Sequence, residues 1–142
     1  MNLPFQKRSV QQLADVARGA YVLAEPASSP RAILIATGSE VVLAMEAQKI
    51  LTAENIAVRV VSMPSTSVFD RQDSAYRASV LPKGPPRIAV EAGVTDFWRK
   101  YVGLDGTVVG IDRYGESAPA GELFEYFGLT AASIAATVKN TV

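Results

Sequence analysis

Short apolar runs recur along this chain, each followed by a stretch whose apolar side chains return every three or four positions. Ala32 to Ala36 (AILIA) is continuously apolar, the pattern of a strand covered on both faces. Thr37-Gly38-Ser39 breaks the run, and Ser39 is expected to cap a helix reaching about Glu54. Leu43, Ala47, Ile50 and Leu51 are its expected inward stripe, and Glu40 suits the positive helix end. Val58 to Ser62 (VRVVS) reads as a second buried strand, ended by Met63-Pro64-Ser65. Asp70 is expected to cap a short helix to about Ala78, and Pro82 to Pro86 is a turn. Arg87 to Glu91 is the third such strand. Gly93 ends it, and Thr95 is expected to open a helix with Phe97/Tyr101 and Trp98/Val102 paired at i, i+4, closed by Gly103. Thr107 to Ile111 is the fourth strand. A helix with Pro119 in its first turn, Leu123 and Phe127 inward and Gly128 at its end follows. Thr130 then caps the last helix, with Ile134 and Val138 on one face.

Strand and helix thus alternate four times, which predicts an α/β fold with a parallel sheet and helices on both faces. Ala20 to Ala24 (AYVLA) is one more short strand. No crossover helix separates it from Ala32, so it is free to pair antiparallel at an edge. The expected architecture is a three-layer, doubly wound sheet of about five strands, mostly parallel with one antiparallel edge strand. The polar start, Met1 to Gln12 with Pro4, reads as an arm leading into this domain.

Composition narrows the chemistry. At 142 residues the chain makes one domain with a core of its own. It has no Cys and no His, so disulfides, thiolate nucleophiles, Ser-His-Asp triads and His-based metal sites cannot be built from it. Fourteen basic residues balance fourteen acidic ones, which leaves no electrostatic footprint for nucleic acid or an anionic membrane. No apolar segment approaches the ~20 residues that span a bilayer, and no h-region follows Lys7 and Arg8. A cytoplasmic location is expected.

In open α/β sheets ligands bind beyond the C-terminal strand ends. The residues there are Thr37-Gly38-Ser39, Met63-Pro64-Ser65, Glu91-Ala92-Gly93 and Asp112-Arg113. Thr37, Gly38 and Ser39 open a helix whose N–H groups suit an anion, and Glu91 closes an apolar strand where burial would raise its pKa. These four are the binding candidates. Beside that reading stands a plain strand-to-helix turn with a cap, and for Glu91 a structural or interface role. The P-loop and dinucleotide-binding patterns are both absent. Ser117, in the loop Gly115 to Pro119, lacks a His to activate it and reads as a cap. Asp70 and Asp73 at i, i+3 make a poor metal site. Phe97, Trp98 and Tyr101 read as core, an exposed subset marking a partner surface. No catalytic set and no metal set emerges from the residues.

Four blocks nevertheless resemble a known family. IATGSEVVLAMEAQ (Ile35 to Gln48), RVVSMPSTSVFDRQD (Arg59 to Asp73), VLPKGPPRIAVEAGVTDFWRKYVG (Val80 to Gly103) and GESAPAGELFEYFG (Gly115 to Gly128) closely resemble, in order, the C-terminal domain of bacterial transketolases, and the arm NLPFQ (Asn2 to Gln6) fits too. The resemblance implies an interdomain linker or arm over 1–19 and a C-terminal domain over 20–142. It implies a parent enzyme that uses thiamine diphosphate and a divalent metal, Mg or Ca, to move a two-carbon ketol unit from a ketose phosphate to an aldose phosphate in the pentose phosphate pathway. The partners it implies are the cofactor-binding domains, the second subunit of a homodimer and sugar phosphates, with no nucleic acid and no membrane.

The cofactor motifs of the family's first two domains have no counterpart here, nor do its catalytic histidines. Its substrate-phosphate arginine precedes the N-L-P of the linker, ahead of Met1-Asn2-Leu3-Pro4. No family catalytic residue carries over. The chain is expected to be a fragment, to hold no cofactor of its own, to be inactive alone and to serve a structural or interface role. One alternative is an independent module binding a small regulatory anion around Thr37, Gly38, Ser39 and Glu91. Weak self-association through some of Phe97, Trp98 and Tyr101 is a further expectation.

Overall fold

A computed structural model describes residues 10–91, 98–103, 106–110 and 130–142. Helix α1 (Val10–Val16) leads into strand β1 (Tyr21–Ala24) and then β2 (Ala32–Ala36). Helix α2 (Glu40–Ala53) crosses to β3 (Val58–Ser62). Two short helices, α3 (Thr66–Asp70) and α4 (Ser74–Val80), lead to β4 (Arg87–Glu91). Then come α5 (Arg99–Val102), β5 (Thr107–Gly110) and α6 (Ala131–Thr141). The sheet order is β1-β3-β2-β4-β5, parallel throughout except for β1, which lies antiparallel on β3 at the edge. The expected five-stranded, mostly parallel sheet with one antiparallel edge strand is present.

The continuous apolar run of β2 is explained by its place at the centre. All five residues are buried, paired to β3 on one side and β4 on the other. Successive side chains leave the sheet on opposite faces. Ala32, Leu34 and Ala36 join a core with Ala44, Ala47 and Leu51 of α2 and Ile134 and Val138 of α6. Ile33 and Ile35 join a second core with Phe69, Val80, Trp98 and Tyr101. Helices α2 and α6 cover one face, and α3, α4 and α5 the other.

Several local expectations change. Helix α1 overlaps the end of the polar start, and its Gln12 donates from Nε2 to the carbonyls of Val22 and Leu23, both at 3.0 Å, binding the helix to β1. Asp70 does not cap a helix but ends α3. Ser65 caps α3, and Asp73 caps α4 by accepting from the Tyr76 amide at 2.7 Å. In α2 the inward stripe is Glu40, Val41, Ala44, Ala47 and Leu51, while Ile50 is exposed and Leu43 half-buried. Trp98 and Tyr101 are buried in the second core, 2% and 5% exposed, so they offer no self-association surface. Gly103 ends α5 at φ +82°. The residues Gly93, Thr95, Phe97, Ile111, Asp112 and Arg113, the loop Gly115 to Pro119 with Ser117, and Leu123, Phe127 and Gly128 lie outside the described residues.

Thr130 and Ser39, both expected to cap, behave differently. Thr130 accepts from the Ser133 amide at 3.1 Å, and Ser133 Oγ accepts in return from the Thr130 amide at 3.0 Å, a reciprocal capping box. Ser39 lies in helical backbone conformation and makes no side-chain cap bond. Thr130→Ala is therefore expected to cost about 1 kcal/mol, and Ser39→Ala only a few tenths. Urea midpoints of the two variants check this, and equal losses would contradict it.

Candidate functional site

The strand order reverses at β2. The α2 crossover carries the chain to β3 on one side, and the α3–α4 connection carries it back past β2 to β4 on the other. The crevice where ligands gather in such sheets therefore lies between the C-terminal ends of β2 and β4. Ala36 pairs with Val90 there, so Thr37 and Glu91 follow side by side along the backbone. The sheet thus brings the sequence candidates Thr37, Gly38, Ser39 and Glu91 to one rim, although the Glu91 side chain lies outside what is described.

The rim is not shaped as an open anion cradle. The Glu40 amide donates to the Thr37 carbonyl at 3.2 Å, and the Val41 amide to the Gly38 carbonyl at 3.3 Å. The Met63 amide donates to the Ala36 carbonyl at 2.9 Å. Two of the amides at the start of α2 are thus already used. Gly38 stands at φ +58°, a left-handed conformation that glycine adopts without a Cβ penalty. A carboxylate oxygen of Glu40 lies 3.6 Å from where a Cβ on Gly38 would be. Glu40 is only 6% exposed. It stands in the first turn of α2, where a carboxylate suits the positive helix end.

Burial of Glu40 was not among the sequence expectations, which placed it only in the first turn. The signal was available: Glu40, Ala44, Ala47 and Leu51 recur at spacings of four, three and four, the period of the buried face. A carboxylate on that stripe must be taken out of water.

A second constellation, unmarked by any motif, lies at the opposite end of the sheet, where β4 begins. Arg87 is half-buried there. Its Nη1 donates to the Tyr101 carbonyl at 2.9 Å, and its Nη2 to the carbonyls of Leu81 at 2.8 Å and Pro82 at 3.3 Å. Burial lowers its pKa from the ordinary arginine value. Nearby, Lys100 Nζ lies 2.6 Å from Asp70 Oδ2, and the Tyr101 hydroxyl donates to the same carboxylate at 3.1 Å. The hydrogen bond to Asp70 raises the Lys100 pKa, and burial raises that of Tyr101. These groups line a cleft of about 370 Å³. A third hollow of about 420 Å³ lies beside Glu25, Gln48 and Asn55, where Gln48 Nε2 donates to the Val58 carbonyl at 2.8 Å. Among the described residues, no three His, Cys, Asp or Glu side chains gather to hold a metal ion, and no helix is long and apolar enough to cross a membrane.

Comparison with known proteins is consistent across the chain. The family model described as a transketolase-like TK C-terminal domain matches residues 19–130. Transketolase 1 of Escherichia coli (strain K12) is 58% identical over 140 residues, covering 98% of this chain. Transketolase from Leishmania mexicana superposes with a TM-score of 0.81 at 41% identity, over 90% of this chain and 18% of that one. Transketolase from Pichia stipitis, in complex with sedoheptulose 7-phosphate, superposes with a TM-score of 0.85 at 36% identity, over 99% of this chain and 20% of that one. The chain spans 21% of the length of the E. coli relative. None of these likenesses lends support to a separate small-anion-binding module.

Proposed function

Because this chain belongs to the transketolase-like C-terminal domain family, we propose that it works as the C-terminal domain of a transketolase, a transferase of two-carbon ketol units from a ketose phosphate to an aldose phosphate. The observation that carries the reading is identity of 58% along 98% of this chain to one-fifth of a longer enzyme. On this reading residues 1–19 are the linker and 20–142 the domain. The protein is cytoplasmic, works in the pentose phosphate pathway and functions within a homodimer.

Thiamine diphosphate and its divalent metal supply the carbanion chemistry of such an enzyme. Among the described residues, no cluster of carboxylates gathers to hold the metal. At the rim of the sheet, the Glu40 and Val41 amides at the start of α2 are already bonded to the Thr37 and Gly38 carbonyls. The cofactor then belongs to other domains, and this chain contributes no group to the reacting atoms. Its part is structural: a rigid sheet, covered on both faces, whose rim at Thr37, Gly38, Ser39 and Glu91 is positioned to meet the cofactor-binding domains. Loss of such packing costs activity by misplacing distant groups rather than by removing chemistry.

The test uses the purified chain with thiamine diphosphate, magnesium, a ketose phosphate donor and an aldose phosphate acceptor. No turnover above buffer is expected. In a second arm the chain replaces the matching segment of the E. coli relative, and ketol transfer is expected to persist. Turnover by the chain alone would overturn the assignment of a non-catalytic role.

A further inference from the structure

We propose that the cleft between α3, α4, α5 and the start of β4 binds a phosphoryl group, with Arg87 as its anchor. Among the described residues, four cationic side chains line this cleft, Arg77, Lys83, Arg87 and Lys100, against one carboxylate, Asp70. Asp70 is already committed: it pairs with Lys100 at 2.6 Å and accepts from the Tyr101 hydroxyl. Arg77 donates from Nε to the Gln72 carbonyl at 3.1 Å. The cleft therefore carries surplus positive charge, on a chain whose formal net charge is zero.

Arg87 sets this cluster apart from scattered surface lysines. Its guanidinium is partly withdrawn from water, and its described partners are three backbone carbonyls, with no carboxylate among them. Carbonyls fix the plane of the guanidinium but leave its charge whole. A desolvated cation without a counterion is costly, and an anion entering the cleft relieves that cost. A planar, pre-oriented guanidinium with flexible ammonium groups around it suits a phosphoryl group, because a phosphate accepts bidentate bonds from Arg and point-charge contacts from Lys. Lys83 is exposed on the turn beside Arg87, free to swing over a bound anion. The volume of about 370 Å³ leaves room for a phosphate with an organic group attached. The cleft opens at the end of the sheet opposite the rim of Thr37 and Glu91, so the inference does not depend on the ketol-transfer reading, and its test reads binding rather than turnover.

The experiment titrates the full chain with inorganic phosphate, and in parallel with glycerol 3-phosphate, at constant ionic strength. Binding is followed by thermal shift and by amide NMR shifts at Leu81, Lys83 and Tyr101. Saturable shifts localised to those positions are expected, tighter for glycerol 3-phosphate if the cleft takes a phosphomonoester and equal if it takes the free ion. Lys83→Glu is expected to weaken the apparent Kd at least fivefold. Lys49→Glu, an exposed charge reversal on α2 across the sheet, is expected to leave it unchanged. Arg87→Lys keeps the charge but loses the fork, and is expected to weaken binding further than Lys83→Glu. Because Arg87→Lys also disturbs three carbonyl bonds, the Lys83/Lys49 pair decides if that variant fails to fold. Absence of saturation at 20 mM phosphate, or equal weakening by Lys83→Glu and Lys49→Glu, would overturn the proposal.

Discussion

Gly19→Ala is expected to unfold much of the population at moderate temperature. Gly19 is buried at φ +90°, at the junction between α1 and β1. A methyl group there would stand 2.4 Å from the backbone nitrogen of Phe69 and 2.4 Å from the carbonyl oxygen of Ser65. Neither neighbour is the end of a flexible side chain. Both belong to the first turn and cap of α3, where the Phe69 amide donates to the Ser65 carbonyl at 3.1 Å, and the Ser65 amide donates to the Gly19 carbonyl at 3.0 Å. Relieving the clash means moving α3 away from the β1 entry, breaking these bonds and lifting Phe69 from the second core. The left-handed conformation adds about 1–2 kcal/mol for any L-residue with a Cβ. With the displaced backbone, a total loss above about 4 kcal/mol is expected, in the range reserved for strain and core disruption. For a domain of this size that lowers the Tm by roughly 10 °C or more. Gly84 offers the control. It stands at φ +116° with nothing within 4 Å of the place a methyl would take, so Gly84→Ala carries the conformational term alone. Thermal unfolding that shifts equally for both would show that the close approach at Gly19 carries no cost.

Leu34→Ala is expected to cost about 3–4 kcal/mol, within the 2–5 kcal/mol typical of buried leucines. Leu34 is fully buried in the central strand, level with Val60 of β3 and Ile88 of β4. Hydrogen-bonded strands on both sides hold the backbone in place, and α2 and α6 lie across the face it occupies. The site has little freedom to collapse into the space left behind, so the cavity term is retained. Ile50→Ala, which deletes similar apolar volume from α2, is expected to change stability by no more than about 0.5 kcal/mol, because Ile50 is an exposed position. Guanidinium unfolding of the pair measures the contrast. Similar losses would mean that Ile50 packs inward after all.

That contrast also shows where the amino-acid pattern is ambiguous. Leu43, Ala47, Ile50 and Leu51 satisfy a helical apolar stripe, and so do Glu40, Ala44, Ala47 and Leu51. The two share Ala47 and Leu51 and differ by a rotation of about 45° around the helix. Apolar character favours the first, whereas the sheet, with small Ala44 and Ala47 allowing α2 close to β2 and β3, selects the second. The same competition explains α3 and α4. Asp70, Asp73 and Ser65 are all chemically able to cap, and only the path of the chain from β3 to β4 decides that Ser65 and Asp73 do so while Asp70 turns toward Lys100 and Tyr101.

Strand positions, their parallel pairing and the antiparallel edge were legible because burial on two faces demands unbroken apolar runs, and a run without a crossover helix has only an edge to join. The family was legible because four ordered blocks are carried by side chains in sequence. The rim of Thr37, Gly38, Ser39 and Glu91 followed from topology once the strands were known. What the rim can do did not follow, since the bonds that use the Glu40 and Val41 amides depend on backbone geometry that no local pattern encodes. The basic cleft was invisible for a related reason. Asp70, Arg77, Lys83, Arg87 and Lys100 are spread over thirty-one positions on separate elements and meet only when the short helices α3, α4 and α5 pack on the second face of the sheet. Local hydrophobic order fixes which segments are buried, because burial is read one residue at a time. Charge clusters and close approaches belong to the tertiary structure, because they arise from pairs of residues whose separation along the chain says nothing of their separation in space.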